Sequence, residues 1–196
     1  MPTTLTYFPI RGRAEVPRLI LEHVGAEYED KRITFEDWPA LKQTLPFGQL
    51  PNYADDDVSI PQSMAIVRHL GRKHNLYGKN LAESARIDAI IDGASDFGTA
   101  LFKTINDKFH EGDRSEFNGA VTQWIQNFEK LLDGNDYFVG DSASIADFTV
   151  FNLIDNFVKP LSKKELEESK LESWRQRVAS LPNVSAYLSS DRRPAL

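Results

Sequence analysis

The hydrophobic pattern of the chain changes near residue 80, and this change limits the folds that are open to it. Before that point, short alternating segments typical of strands are separated by short helical segments. After it, apolar residues recur at helical spacing over long segments, the first from residue 84 to about residue 109. The sequence therefore predicts a small α/β unit followed by an all-α unit.

The first part of the chain predicts the element order β-α-β-α-β-β-α. Strands are predicted over 4–8, 28–33, 49–53 and 58–60, and helices over 14–24, over 38–42 and from Ser63, which is the predicted N-cap. The run Asp55-Asp56-Asp57 predicts a tight turn between the last two strands. Residues 1–76 form the first predicted domain, and 75–80 a linker.

Residues 83–196 form the second predicted domain, which is all-helical. Helices are predicted over 84–109, 117–132, 148–158, 171–181 and 184–189. Ser144-Ile145-Ala146-Asp147 fits the S-x-x-D form of a capping box before the third of these helices. No apolar run approaches the roughly 18 residues of a membrane span, and the N-terminus begins with a strand pattern rather than a signal peptide. We therefore expect a cytoplasmic protein without membrane contact.

Composition excludes several kinds of chemistry. With 23 Lys and Arg against 29 Asp and Glu, the net charge is −6, which argues against a nucleic-acid partner. The sequence has no cysteine, so disulfides, cysteine-based zinc sites and cysteine nucleophiles are excluded. The four histidines lack the HExxH spacing, and the glycine-rich nucleotide loops are missing. We expect no metal, and any thiol chemistry must use a thiol that arrives with a ligand.

Five segments, in this order and at this spacing, resemble those of the cytosolic glutathione transferases. They are Tyr7-Phe8-Pro9-Ile10-Arg11-Gly12-Arg13-Ala14-Glu15, Asp37-Trp38-Pro39, Leu45-Pro46-Phe47-Gly48-Gln49-Leu50-Pro51, Gln62-Ser63 and Ser144-Ile145-Ala146-Asp147. The resemblance covers essentially the whole chain. The R-G-R-A-E and D-W-P-x-x-K-x-T-L-P-F-G segments and the Arg192-Arg193-Pro194 tail are most similar to the sigma class, with the pi class next.

The resemblance implies a fold and a reaction. The fold is a thioredoxin-like βαβαββα domain followed by an all-helical domain that contributes the electrophile pocket and dimer contacts. The reaction is conjugation of glutathione to small hydrophobic electrophiles, a detoxification, with glutathione as co-substrate and no other cofactor. A hydrogen bond donated to a thiolate lowers the pKa of the thiol, and the resemblance gives this catalytic role to Tyr7. Its strand position alone favours an ordinary half-buried strand tyrosine, and the R-G-R context favours the catalytic role.

The resemblance also assigns ten residues to glutathione binding. Arg13 orients the ligand, Trp38 and Lys42 face one carboxylate, and the N-terminus of the helix at Ser63 holds the γ-glutamyl carboxylate. Asp96 reaches across a homodimer to the ligand ammonium. The full set is Phe8, Arg13, Trp38, Lys42, Gln49, Leu50, Pro51, Gln62, Ser63 and Asp96. Leu50-Pro51 resembles a cis-proline turn whose backbone pairs with the peptide. Each of these residues also has an ordinary structural interpretation.

Two further features concern the dimer and the acceptor. Phe47 resembles an aromatic key that inserts into a partner subunit, although it could instead fold onto its own domain. The acceptor pocket is expected around Phe8, Ile10 and Phe102. Two other functions stay open, a glutathione-dependent isomerase of the prostaglandin D synthase type and a non-catalytic ligand-binding or crystallin-like relative. Segment 97–103 of this chain lacks the tryptophan of that isomerase. The aspartate cluster of the related cation site is incomplete here, because Ser95 stands between Asp92 and Asp96.

Overall fold

The chain packs as two compact units. The computed structural model describes residues 2–108, 115–161 and 163–195, without the side chains of residues 102–117. The N-terminal unit comprises Met1–Leu76 together with Ser180–Leu196, and the helical unit comprises Tyr77–Ala179. This differs from the predicted second domain at its C-terminal end. Residues 180–196 pack with the first unit because their helix contacts the first helix of that unit.

The N-terminal unit is a thioredoxin-like sheet with helices. Within residues 2–76, the strands are β1 (Thr4–Tyr7), β2 (Glu29–Arg32), β3 (Asn52–Ala54) and β4 (Ser59–Pro61), and the helices are α1 (Glu15–His23), α2 (Trp38–Lys42) and α3 (Ser63–Lys73), with a 3₁₀ turn over Gly12–Ala14. The sheet order is β2-β1-β3-β4. Strands β1 and β2 are parallel and the other pairs antiparallel. The predicted element order is confirmed.

Local sequence explains how this unit presents its loops. Strand β1 alternates between buried and half-buried residues, so that Leu5 and Tyr7 face inward. The N-cap of α3 was predicted one residue too late. Gln62 occupies that position with a φ of 72°, and Ser63 is the first helical residue. The left-handed backbone at Gln62 turns the chain from β4 directly into the helix, which makes Gln62 the non-helical residue.

The helical unit contains the longest helices of the chain. Its elements are α4 (Leu81–Lys108), α5 (Ser115–Leu132), α6 (Ile145–Leu153), a π-helical turn over Ile154–Val158, α7 (Lys159–Leu161), α8 (Lys163–Glu167) and α9 (Leu171–Ala179), and α10 (Pro182–Leu188) follows in the N-terminal unit. The predicted long helices are confirmed. Helices α7 and α8 were not predicted, because residues 159–170 are too polar to show an apolar stripe. Among the described residues, no helix meets the length and apolarity of a membrane span.

The predicted capping box is present at the start of α6. The backbone N–H of Ala146 donates to the Ser144 hydroxyl at 3.3 Å, and Asp147 accepts from the Ser144 backbone N–H at 2.9 Å. Asp147 is fully buried and also accepts from the backbone N–H of Phe138 at 3.1 Å and from the Trp174 indole at 3.0 Å. The carboxylate therefore joins the start of α6 to the segment before it and to α9.

Candidate functional site

Tyr7 ends β1 with its side chain 8% exposed. Its hydroxyl oxygen accepts a hydrogen bond from the backbone N–H of Arg13 at 3.2 Å. Because a phenol both accepts and donates, this contact leaves the Tyr7 proton available for a further acceptor. The hydroxyl is therefore oriented by the loop that follows β1, and can act as a donor there.

Gly12 makes room for that hydroxyl. Its φ is +41°, and a Cβ on it would lie 2.7 Å from the Tyr7 oxygen and 2.9 Å from Cε1. A side chain would therefore push the phenol ring away, besides straining the backbone. Sequence analysis gave Gly12 no role of its own. Its position between Arg11 and Arg13 could have indicated the role, because the turn there must bring the backbone close to Tyr7.

Arg18 of α1 binds the same loop through its backbone carbonyls. It is fully buried in α1, and its Nη1 donates to the carbonyl oxygens of Ile10 at 2.9 Å and of Arg11 at 3.3 Å. Its Nε pairs with Asp30 at 3.0 Å. Sequence analysis missed Arg18, although it shares a helical face with Ala14 and Leu21, which is the position of a core residue. A buried arginine there must find acceptors, and the loop carbonyls supply them for Nη1. Its Nη2 has no hydrogen-bond partner among the described residues.

A cluster of aromatic rings, centred on Phe8, lies beside Tyr7. The ring of Phe8 lies edge-on to Tyr7 and to Trp38, with centroids 5.6 Å apart in each case, and is stacked on Phe35 at 4.8 Å. Sequence analysis did not single out Phe35, which is 72% exposed. Trp38 is half-buried at the start of α2, and Lys42 is exposed at its end. The structure therefore brings Tyr7, Phe8 and Trp38 together.

The other predicted binding residues lie at the ends of β3 and β4. The Leu50–Pro51 peptide bond is cis, as the resemblance implies. The Gln62 amide donates to the Gln49 side-chain oxygen at 2.9 Å, so these two residues are in direct contact. Ser63 is half-buried at the N-terminus of α3, and the side chain of Gln62 makes no capping bond to that helix. The first backbone N–H groups of α3 are thereby suited to an anion.

A buried carboxylate fixes the elements that carry these residues. Asp55 follows β3 and accepts from Lys73 at 2.6 Å, from the Tyr53 hydroxyl at 2.8 Å, and from the backbone N–H groups of Asp57 and Val58 at 2.9 and 3.0 Å. Burial raises the pKa of Asp55, but these hydrogen bonds outweigh it and hold the pKa well below its usual range. The hairpin of β3 and β4 is thus tied to the end of α3.

Several other residues predicted from the sequence are exposed. Asp96 and Asp92 are exposed on α4 of the helical unit. Phe47 is 66% exposed in the segment after α2, so it does not fold onto its own unit. Arg13 and Gln49 are exposed in the N-terminal unit. The side chain of Phe102 lies outside the described residues.

Comparison with known proteins identifies the family. Residues 3–72 match the glutathione S-transferase N-terminal domain and residues 91–191 the glutathione S-transferase C-terminal domain. Glutathione S-transferase P 1 of Bufo bufo is 34% identical over 194 residues, which is 96% of this chain and 92% of its own length. Glutathione S-transferase 1 of Ascaris suum is 35% identical over 195 residues, covering 94% of each chain.

Solved structures agree with these matches. The glutathione S-transferase of Ascaris lumbricoides has a TM-score of 0.88 and 34% identity, covering 100% of this chain and 99% of its own. Rat hPGDS, solved in complex with a quinoline, has a TM-score of 0.85 and 31% identity with the same coverage. The family predicted from the sequence motifs is confirmed, and the chain belongs to the cytosolic glutathione S-transferase family.

Proposed function

We propose that this glutathione transferase activates its co-substrate through Tyr7. The observation that carries the proposal is the Tyr7 hydroxyl, which accepts from the Arg13 backbone N–H at 3.2 Å and keeps its own proton for donation. Donated to the glutathione sulfur, that proton stabilises the thiolate and lowers the pKa of the thiol. The thiolate then attacks a small hydrophobic electrophile directly. The protein forms no covalent intermediate, in keeping with a chain that has no cysteine.

The binding roles follow from the chemistry of the exposed groups. The Trp38 indole N–H and the Lys42 ammonium lie four residues apart on α2, a spacing that suits one ligand carboxylate. The backbone of Leu50 pairs with the peptide of the ligand, and the start of α3 at Ser63 receives the other carboxylate. Arg13 supplies a further cation beside Tyr7. The contact between Gln62 and Gln49 supports a shared role for these two residues.

Assembly, class and setting are part of the same proposal. The enzyme acts as a cytoplasmic homodimer, in which Asp96 reaches the ligand ammonium of the partner and Phe47 inserts into the partner subunit. The exposure of Phe47, 66% of its surface, supports that role. The motifs favour the sigma class and a detoxification role. No cofactor other than glutathione is needed, because glutathione brings the nucleophile.

The test is Tyr7→Phe, which removes only the hydroxyl. Loss of one positioned donor to a developing anion costs about 100- to 1,000-fold in turnover, so we expect a loss of that order in kcat with an aromatic electrophile. Glutathione binding, measured by calorimetry, should stay within about twofold, since the other contacts remain.

Tyr28→Phe is the matched control for that variant. It removes a phenol hydroxyl from the same unit, one that donates to Glu22 at 3.0 Å, and it should leave kcat unchanged. A fully active Tyr7→Phe enzyme would refute the role of Tyr7. Saturable glutathione binding by the wild-type protein without conjugation of any electrophile would instead indicate a ligand carrier.

A further inference from the structure

The tail of the chain, residues 192–195, lies against the loop that follows β1. We name residues 8–13 the Tyr7 loop. The backbone N–H of Arg11 donates to the carbonyl of Ala195 at 3.0 Å, and the Arg11 Nε donates to the carbonyl of Pro194 at 2.9 Å. Ile10 and Ala195 form a parallel β-bridge. The loop is thus held on one side by the tail and on the other by Arg18.

A buried ion pair attaches the tail to the start of α1. Glu15 has no exposed surface, and its Oε1 accepts from the Nε of Arg193 at 2.9 Å. Its Oε2 accepts from the Tyr187 hydroxyl at 3.1 Å and lies 3.6 Å from the Nη1 of Arg18. The Arg193 side chain is itself only 11% exposed. Because a buried carboxylate must be hydrogen-bonded or paired with a charge, and Arg193 does both for Glu15, this pair fixes the position of Arg193 and, with it, of the tail.

We propose that Arg193 is a positioning residue for the reaction, acting through Glu15 and the tail on the Tyr7 loop. The proposal rests on the role of Tyr7 proposed above. The hydrogen bond from the Arg13 backbone N–H to the Tyr7 hydroxyl depends on the loop conformation, and the phenol lies so close to the loop that a Cβ on residue 12 would be 2.7 Å from its oxygen. When the tail loses its attachment, the loop gains freedom and the phenol loses its fixed direction. A displacement of about 1 Å at a reacting group can cost up to about 100-fold in rate.

Arg192 provides a comparison in the same tail, with a side chain that is 63% exposed where that of Arg193 is 11% exposed. Its Nη1 and Nη2 donate to the two carboxylate oxygens of Glu22 at 2.7 and 2.8 Å, near the other end of α1. Both arginines therefore pair with a buried glutamate of one helix. Only Arg193 pairs with the glutamate two residues from Arg13. A general loss of tail stability would affect both variants, whereas loss of positioning affects one.

The experiment compares Arg193→Gln, Arg192→Gln and Arg193→Lys with the wild-type enzyme. Thermal unfolding curves of all the variants show at which temperature every one of them is folded, and the kinetics are measured at that temperature. We expect Arg193→Gln to lower kcat/KM for glutathione about tenfold and to shift the pH profile of kcat/KM to higher pH, since the thiolate loses an aligned donor. Arg192→Gln should change kcat/KM less than twofold and leave the profile in place. Arg193→Lys should recover most of the loss, because it restores the charge beside Glu15.

Two outcomes overturn the proposal. One is an equal effect of Arg192→Gln and Arg193→Gln on kcat/KM, and the other is a destabilised Arg193→Gln enzyme with an unchanged pH profile. If Arg193→Gln does not fold, Arg11→Ala takes its place, since it removes the bond to Pro194 without leaving Glu15 unpaired, and should shift the profile in the same direction. Tyr7→Phe separates the two proposals. An active Tyr7→Phe enzyme refutes the role of Tyr7, whereas an inactive one with equal arginine variants refutes only the role of Arg193.

Discussion

Two fully buried carboxylates, Glu15 in the N-terminal unit and Asp147 in the helical unit, are stabilised in different ways. In the N-terminal unit, Glu15 and Arg18 have no exposed surface and are paired with opposite charges, Arg193 and Asp30. In the helical unit, Asp147 is equally buried but accepts from backbone N–H groups, a hydroxyl and an indole, all of them neutral. The charge pairs join α1 to β2 and to the C-terminal tail, whereas the neutral donors complete the cap of α6.

The difference appears directly in two aspartates. Burial raises the pKa of Asp147, and its hydrogen bonds lower it by less, so the pKa stays above its ordinary value. For Asp55 burial acts in the same direction, but the bonds from Lys73, Tyr53 and the backbone outweigh it, and the pKa is lowered. The hydrogen bond from Lys73 is the largest of the effects that lower the pKa of Asp55, and no cation is among the groups that lower the pKa of Asp147. The N-terminal unit has such cations around its loops, where the ligand groups are expected.

Asp147→Ala should have the largest effect on stability. It leaves the Trp174 indole and the N–H groups of Phe138 and Ser144 buried without their acceptor, and loss of such a network costs about 3–5 kcal/mol. Urea unfolding measures the change. The control is Asp141→Ala, since Asp141 is 92% exposed and paired with an exposed Lys79, which predicts a cost below about 1 kcal/mol. Equal costs for the two variants would contradict the structural role of Asp147.

Asp55→Asn should have the next largest effect. The amide keeps the shape of the side chain but loses the charge that faces Lys73, and its NH₂ group opposes donors from Lys73 and Tyr53. We expect a loss of about 2–3 kcal/mol in the free energy of unfolding. Asp57→Asn changes an exposed neighbour in the same turn and should cost less than about 0.5 kcal/mol. A stable Asp55→Asn protein would show that the hairpin does not depend on this charge.

Gly12→Ala tests the geometry of the Tyr7 loop. A Cβ at this position meets the Tyr7 oxygen at 2.7 Å, so we expect kcat/KM to fall about tenfold, equivalent to about 1.4 kcal/mol, as the phenol is displaced. Gly25→Ala is matched to it. Gly25 also has a positive φ, of +66°, but the nearest atom to its Cβ is the Asn183 Nδ2 at 3.6 Å. It should lose some stability through the backbone and keep its activity. Equal loss of activity in both variants would contradict the role of Gly12.

The smallest expected effect concerns acidification, which should change the stability contributions of Asp55 and Asp147 in opposite directions. For Asp55 the folded pKa is lowered, so its stabilisation is complete above the ordinary value of about 3.9 and is lost as the pH falls further. For Asp147 the folded pKa is raised, so protonation favours the folded state and the wild type gains as the pH falls. From pH 7 to pH 3, the stability advantage of wild type over Asp55→Asn should shrink, and that over Asp147→Asn should grow. Parallel changes would contradict the comparison.

Sequence analysis predicted the elements of both units, for different reasons. The apolar stripes of α4 and α5 predicted long helices because a helix face repeats locally. In the N-terminal unit, the helix α2 and the cis Leu50–Pro51 bond followed from motifs rather than from periodicity. Helices α7 (Lys159–Leu161) and α8 (Lys163–Glu167) lie where the sequence showed neither signal. The polar composition of these two short helices leaves no apolar stripe from which a helix could be predicted.

The contacts that hold the candidate site could not be predicted from the sequence. Arg193 and Glu15 are 178 residues apart, and the pairing depends on the return of residues 180–196 to the first unit. A pattern of spacing contains no information on such a contact. The same holds for the bond between Gln62 and Gln49, which lie 13 positions apart in the sequence. Residue types suggested the ligand chemistry, and tertiary packing supplies the geometry.

The central claim is that the Tyr7 hydroxyl lowers the thiol pKa of bound glutathione. The most direct test is an ultraviolet difference titration of the thiolate band of glutathione, bound to wild type and to Tyr7→Phe. An ordinary cysteine thiol has a pKa of about 8.5. We predict that the thiol pKa of glutathione lies well below this value in the wild-type complex and returns toward it in the Tyr7→Phe complex. The same lowered pKa in both complexes would contradict the claim.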